Sequence, residues 1–249
     1  MLKRLIALLA LSLLAATLAH GADSPGEAQA GRDILAKNQD AIVFITAVAK
    51  VSFGGNSRDE TVECTGMVID PSGLTICSLS AIDPASAMAD EDGDSNAKVS
   101  ISDVKMLRAD NNKEYPAKLV LKDPDLDLAF IRPDKQADQP TSFTAVQIGK
   151  TPPVQLLDTV VVIDRLPKEF GRVPMVFTSR ISAVITKPRT FYLTSAQGAS
   201  ISSPVFLTTG EFLGYNLAAS IGAGESAARV PAIIPADDLR QSAEQVLKK

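Results

Sequence analysis

The chain has 249 residues, a formal net charge of −4 and 45% apolar residues, which is typical of a globular protein that can bury a large core. The sequence contains no run of basic residues, and nucleic acid is therefore excluded as an expected partner, because phosphates are bound by clustered lysine and arginine.

The first 21 residues have the pattern of a secretory signal peptide. Lys3 and Arg4 precede the apolar run Leu5–Leu18, and small residues follow it. That run is short for a membrane span, so we expect no membrane insertion after cleavage. The mature chain is expected to be exported, to the periplasm or the medium, with a net charge of −6 once the two basic residues are lost.

The histidine count excludes two classes of function, histidine-dependent hydrolysis and metal binding by histidine. The one histidine is His20, which lies in the predicted signal peptide. Without histidine, the mature protein lacks the usual general base of a serine or cysteine hydrolase and any histidine metal ligand. We therefore predict no metal site and no cofactor.

Residues 22–134 are predicted to form a short helix followed by a first group of strands. The helix covers Gly26–Asn38, and one or two helical turns are expected within Ser80–Met88. Apolar and β-branched runs predict strands at Ala41–Phe53, Val62–Ile69, Leu74–Leu79, Lys98–Leu107, Tyr115–Leu121 and Leu126–Ile131.

Residues 135–142 are polar and are interpreted as a linker to a second group of strands within 143–249. These strands are predicted at Ala145–Ile148, Thr159–Ile163, Val173–Ile185, Phe191–Thr194, Ser203–Leu207, Phe212–Leu217 and Arg229–Ile234. A final helix, Asp237–Leu247, follows Pro235. About a dozen short strands in two groups favour an all-β fold of two packed antiparallel barrels, with one large sandwich as the alternative.

The two cysteines, Cys64 and Cys77, flank the turn Asp70–Gly73. If Ile69 pairs with Leu74, the cysteines share a face of the hairpin but lie diagonally, about 7 Å apart at Cβ. That separation exceeds the usual disulfide geometry unless a bulge intervenes. The sequence is compatible with two states of these cysteines: a disulfide, as is common in exported proteins, or two reduced thiols in the core.

Two acidic segments are candidate sites. Asp125 and Asp127 are two apart on a predicted strand, so they would face the same side and could serve a glycosidase, although no second motif supports that reading. Ala89–Asn96 resembles a calcium loop, but Gly93 does not fit the EF-hand spacing, and we interpret the segment as a solvated loop.

Three segments together resemble the HtrA/Do-like, trypsin-fold serine proteases. From Cys64 to Ile82, Gly66 and Gly73 match the motif that ends in the catalytic histidine, but Ser80 takes the place of that histidine. The segment Lys122–Ile131 matches the motif whose aspartate orients the histidine, and this residue is retained as Asp127.

The third segment, Gly198–Pro204, resembles the turn that carries the nucleophile. Alignment on Pro204 puts Ile201 in the place of the nucleophilic serine and Ala199 in the place of the oxyanion-hole glycine. Two further matches lie at Gly210–Asn216 and Val230–Pro235. The resemblance covers about residues 28–249 and implies two six-stranded antiparallel barrels with an N-terminal and a C-terminal helix, with no PDZ domain after them.

The altered residues imply a catalytically inactive relative, a pseudoprotease. Asp127 has no imidazole to orient, Ser80 is no base, and Ile201 has no oxygen. We expect Ile201 to pack against the first barrel near Ser80 and keep the site dry.

The cleft between the barrels would then bind an extended peptide or protein partner. One alternative is an active peptidase with a rebuilt serine–lysine pair, using Ser200, Ser202 or Ser203. Another is a structural component of the cell envelope.

Overall fold

The computed structural model describes most of the chain. The described residues are 25–53, 56–83, 98–108, 113–135, 142–195, 201–221 and 228–248. The predicted signal peptide and the acidic loop Ala89–Asn96 lie outside them, as do Ala199 and Ser200. Within these ranges, no helix has the length and apolar character needed to cross a membrane.

Six antiparallel strands close the first barrel, in the spatial order β1-β2-β3-β6-β5-β4. They are β1 (Ile42–Phe53), β2 (Asn56–Val68), β3 (Thr75–Ser78), β4 (Lys98–Leu107), β5 (Glu114–Asp123) and β6 (Leu128–Pro133). Side chains on one face of these strands, among them Val43, Ile45 and Met106, fill the barrel interior. This alternation of buried and outward residues is what the sequence pattern predicts for half-buried strands.

The second barrel repeats this architecture, in the order β10-β11-β12-β9-β8-β7. Its strands are β7 (Thr159–Arg165), β8 (Pro174–Ile185), β9 (Phe191–Thr194), β10 (Ser203–Leu207), β11 (Phe212–Ile221) and β12 (Ala228–Pro235). Val160, Val162 and Leu213 are buried in its interior. The prediction of two six-stranded barrels is confirmed, and the alternative of one large sandwich is wrong.

Two longer helices pack against the second barrel. Helix α1 (Pro25–Asn38) lies against β7 and β8, although it precedes the first barrel in the chain. The short helix α2 (Leu79–Ile82) follows β3, and the Ser78 hydroxyl accepts the Ala81 N–H at its start. Helix α3 (Ala236–Leu247) begins directly after Pro235 and packs against β11 and β12. Both predicted terminal helices are confirmed.

The β2–β3 hairpin has the register that the sequence predicts. The Ile69 N–H donates to the Leu74 carbonyl at 2.8 Å, and Met67 lies opposite Ile76. Gly73 has φ +89°, a left-handed conformation that glycine adopts without steric penalty. The turn residues therefore fix which face of each strand points into the barrel.

The predicted strand Ala145–Ile148 is not a strand. This segment crosses from the first barrel to the second in an extended connection. Its apolar character comes from packing, because Val146 is buried in the apolar core and its N–H donates to the Val68 carbonyl at 2.9 Å. Burial on a connecting segment thus produced the same sequence pattern as a paired strand.

One apolar cluster draws on both barrels. Ile42, Met67 and Phe130 from the first barrel pack with Phe206 and Tyr215 from the second. Because the cluster runs through the interface, the barrels have a fixed contact there, and polar groups at its border are held in place.

Candidate functional site

Asp127 is the centre of a buried polar network between the barrels. It follows the 3-10 helix Pro124–Leu126, takes a left-handed conformation with φ 54°, and is only 1% exposed. The sequence-based expectation that Asp125 and Asp127 share a strand face is wrong. Asp125 lies in the 3-10 helix and is exposed, whereas β6 begins only at Leu128. Asp125 and Asp127 therefore do not form the paired-carboxylate site that this spacing suggested.

Four donors occupy the carboxylate of Asp127. Oδ1 accepts the Ser80 N–H at 2.8 Å and Arg229 Nη2 at 3.1 Å. Oδ2 accepts the Ser78 hydroxyl at 2.8 Å and the Ala218 N–H at 3.2 Å. An ionised carboxylate offers about four acceptor positions. The network therefore leaves no position for the imidazole that an aspartate orients in a serine protease.

The hydroxyl protons near Asp127 have fixed directions. Ser78 donates to Asp127, so in the 3.1 Å contact between Ser78 Oγ and Ser80 Oγ the proton must come from Ser80. Both hydroxyls thus act as donors in a chain that ends on the carboxylate. Among the described contacts, neither hydroxyl has an imidazole or an amine beside it to act as a general base.

Arg229 was not among the candidates predicted from the sequence. It lies near the start of β12, and its guanidinium reaches Asp127 across the site while its side chain is 20% exposed. Its Nε and Nη1 are buried and have no hydrogen-bond partner among the described residues. A basic residue at the edge of the apolar run of β12 was the available signal, but the sequence does not show that Asp127 lies within its reach.

Ile201, which the sequence alignment on Pro204 puts in the nucleophile's place, does not pack as expected. Its side chain is 37% exposed and joins none of the buried apolar clusters. The expectation that Ile201 packs against the first barrel and dries the site is therefore wrong. The turn is positioned by the next residue, Ser202, rather than by Ile201.

Ser202 makes four hydrogen bonds, and two of them join the second barrel to the first. Its Oγ donates to the Thr65 carbonyl at 2.7 Å and accepts the Ser78 N–H at 2.8 Å. Its own N–H donates to the Asn216 carbonyl at 2.7 Å, and the Tyr215 hydroxyl donates to its carbonyl at 2.9 Å. Ser202 is fully buried with φ 86°, a conformation unusual for a residue with a side chain.

Ser203 has a different partner, the buried carboxylate of Asp164. Asp164 Oδ1 also accepts the Thr65 hydroxyl at 2.9 Å and the Arg165 N–H at 2.7 Å. Burial raises the pKa of Asp164, and the hydrogen bonds from Arg165, Thr65 and Ser203 oppose that rise. Ser203 is itself fully buried, so this pair is closed to a substrate.

The two cysteines lie on neighbouring strands and face the same side, as predicted. The hairpin register places Cys77 opposite Gly66, two residues along β2 from Cys64, and both cysteines belong to the core of the first barrel. They are free thiols. A hydrogen bond with Cys64, followed by burial, raises the pKa of the Cys77 thiol. Of the two states that the sequence left open, this is the pair of reduced core thiols.

The predicted site segments come together in space. Ser202 from the turn contacts Ser78, Ser78 contacts Asp127, and the backbone of Ser80 contacts the same carboxylate. In the part of the chain that the structure describes, no group of three histidine, cysteine or acidic side chains is placed to hold a metal ion.

Strand β11 has an open edge beside this network. The Asn216 carbonyl and the Ala218 N–H point away from β12, because they bond to Ser202 and Asp127. By alternation, the backbone groups of Ser220 point the same way. β10 pairs with β11 only as far as Asn216, so the edge from Ala218 to Ile221 has no partner strand among the described residues.

Known proteins support the same fold. The family model described as "Trypsin-like peptidase domain" matches residues 64–214. A structure of the HtrA-type protease AlgW with a decapeptide aligns with a TM-score of 0.62 and 13% identity, covering 88% of this chain and 67% of that one. A crystal structure of Deg5 aligns with a TM-score of 0.56 and 18% identity, covering 86% and 92%. No curated protein matches the chain significantly.

The family model reaches from β2 of the first barrel into β11 of the second and includes the segments around Ser80, Asp127 and Ile201. Together with the two closed barrels, this match shows that the chain belongs to the trypsin-like peptidase domain family, with an HtrA-like trypsin fold.

Proposed function

We propose that this protein is an exported, catalytically inactive member of its family that binds extended peptides in the cleft between its barrels. Export is supported by the basic, apolar and small-residue pattern of residues 1–21. Inactivity and peptide binding are supported by separate parts of the site.

The Asp127 network supports loss of catalysis. A serine protease needs a base that the aspartate orients, but here Ser80 supplies only a backbone N–H and Arg229 fills the remaining acceptor position. Arginine stays protonated at all physiological pH values and accepts no proton. Asp127 therefore serves as a structural acceptor that joins β12 to the first barrel.

The described serines of the turn also lack the features of a nucleophile. Ser202 directs its proton to the Thr65 carbonyl, which is no base, and it is fully buried. Ser203 is hydrogen-bonded to Asp164 and equally buried. A peptide carbonyl must approach a nucleophile to about 3 Å, and neither hydroxyl is open to such an approach.

The open edge of β11 is the observation that carries the binding proposal. An extended peptide can add to a sheet as one more antiparallel strand through main-chain hydrogen bonds. Between Ala218 and Ile221 the outward backbone groups have no strand partner among the described residues, and Ser220 is exposed. Loss of the catalytic base does not alter these groups.

A single proline substitution in this edge tests the proposal. Ser220→Pro removes an outward N–H without removing a bond to β12, whereas the control Ser220→Ala keeps the backbone donor. The probe is fluorescein-labelled peptides from a casein digest, followed by anisotropy. We expect wild type and Ser220→Ala to bind alike. Ser220→Pro should bind at least about tenfold more weakly, which is a loss of about 1.4 kcal/mol of binding free energy.

Equal binding by all three proteins would place the peptide elsewhere, and no binding by any would favour a structural role in the envelope. A fluorophosphonate probe tests inactivity separately, because it labels only an activated serine. We expect no labelling. Stoichiometric labelling of Ser200, Ser202 or Ser203, lost when that serine is replaced, would support the rebuilt-nucleophile alternative.

A further inference from the structure

The β1–β2 hairpin extends from the first barrel with one open edge. β1 and β2 pair without interruption from Ile42 opposite Met67 to Phe53 opposite Asn56. β3 reaches β2 only at Met67 and Val68. Among the described residues, no strand lies on the outer side of β2 before that point.

The direction of the open backbone groups follows from one contact. The Thr65 carbonyl accepts the Ser202 hydroxyl of the second barrel, so it points away from β1. Backbone groups alternate along a strand, and those of Ser57, Asp59 and Thr61 therefore also point outward. The side chains from Asn56 to Thr61 are all exposed.

This edge lacks two of the usual protections against pairing, proline and bulges, and its charges are of both signs. Natural edge strands are protected by proline, by bulges or by charged side chains, especially lysine. β4 pairs with β5 only from Lys105 onward, and its first part is the other free edge of the hairpin sheet. That edge has such protection, because the pairing of β4 with β1 is interrupted near Asp103 (φ 48°). The stretch Asn56–Cys64 of β2 contains no proline and no lysine, and its register is unbroken.

The charges on β2 are complementary to a second copy of the same strand. When two β2 strands run antiparallel about a two-fold axis at Asp59, Arg58 of each copy lies directly opposite Glu60 of the other. In the single chain these two side chains are 3.6 Å apart and mostly exposed, at 81% and 54%. Lys50 of β1 pairs with Asp59 within each chain, so the two lysines flank the two Asp59 side chains that meet at the axis. Opposite charges in such cross-strand positions are stabilising.

We propose that two copies of this chain associate through the β2 edges, with the two-fold axis at Asp59. The sheets of β4, β1 and β2 from both copies join into one continuous sheet. The second barrel contacts β2 at Glu63, through Arg172, and at Thr65, through Ser202. Among the described residues, the outer edge of Asn56–Val62 has no partner strand and can pair with its copy. This association does not depend on peptide binding or on catalysis.

Charge exchange on the exposed edge tests the pairing. Arg58→Glu and Glu60→Lys each create two like-charge contacts per dimer, whereas the double variant restores opposite charges in reversed order. Sedimentation equilibrium should show a wild-type dimer, a dissociation constant raised about tenfold in each single variant, and recovery in the double variant. Lys118→Glu, on an exposed position of β5, is the matched charge control and should leave the constant unchanged.

A monomer at all concentrations, single variants that dimerise like wild type, or a double variant without recovery would each overturn the proposal. A cysteine pair reports the register directly. Asp59→Cys meets itself at the axis and should form a reducible crosslink, whereas Ser57→Cys lies opposite residue 61 of the other copy and should not. Equal crosslinking of both variants, or of neither, overturns pairing about Asp59.

Discussion

Replacing Ser202 removes a single hydroxyl that joins the two barrels. In Ser202→Ala, the Ser78 N–H and the Thr65 carbonyl lose their partner in a fully buried environment. Each buried backbone group left without a partner costs about 1–3 kcal/mol. We therefore expect the free energy of unfolding to fall by about 3 kcal/mol, since partial relaxation recovers some of the loss.

Ser202→Gly is the informative comparison, because both variants lack the hydroxyl. At φ 86° alanine keeps the steric penalty that serine has, whereas glycine does not. We expect the glycine variant to be about 1 kcal/mol more stable than the alanine variant, after the larger chain entropy of unfolded glycine is counted.

Urea unfolding, followed by far-UV circular dichroism because the chain has no tryptophan, measures both differences. An alanine variant within about 0.5 kcal/mol of wild type would show that the hydroxyl does not join the barrels. A glycine variant less stable than the alanine variant would refute the left-handed conformation of this residue.

Four further outcomes are expected. Because burial raises the pKa of Asp164, its contribution to stability is present below the unfolded pKa of 3.8 and is lost as pH rises through the higher folded pKa. Asp164→Asn should flatten this loss when urea unfolding is measured from pH 3.8 upward, and an unchanged slope contradicts it. Arg229→Met removes a partly exposed ion pair to the buried carboxylate of Asp127. It should lower the free energy of unfolding by about 1–2 kcal/mol, which is less than the full cost of breaking a buried pair. An unchanged thermal midpoint would argue against the contact. Ile201→Ser supplies a hydroxyl without a base and should show no casein hydrolysis above background, so that measurable hydrolysis would contradict the proposed inactivity. The high pKa and burial of Cys77 slow its reaction, so the intact mass should be the same with and without reductant; a mass lower by two hydrogens before reduction would reveal a bond to Cys64.

The strands and the hairpin register were accessible from the sequence because they depend on local rules. Alternation gave nearly all the strands, and the turn with Gly73 set the pairing of Ile69 with Leu74. The false strand Ala145–Ile148 shows the limit, since burial by packing and burial by pairing leave the same apolar pattern.

The site was predicted in outline and missed in its contacts. The meeting of the Ser80, Asp127 and Ile201 segments followed from family motifs, but the left-handed backbone of Asp127 and the reach of Arg229 did not. Both depend on how two distant strands approach each other across the barrel interface, and no local pattern encodes that approach.

The apolar cluster shared by the barrels has a consequence for folding. Ile42 and Met67 are packed against Tyr215, which lies more than a hundred residues away in the chain. Neither half can bury this shared surface alone, although each barrel has an interior cluster of its own. The nascent first half therefore exposes the shared surface until the second half is made, and completion of the fold depends on long-range contacts.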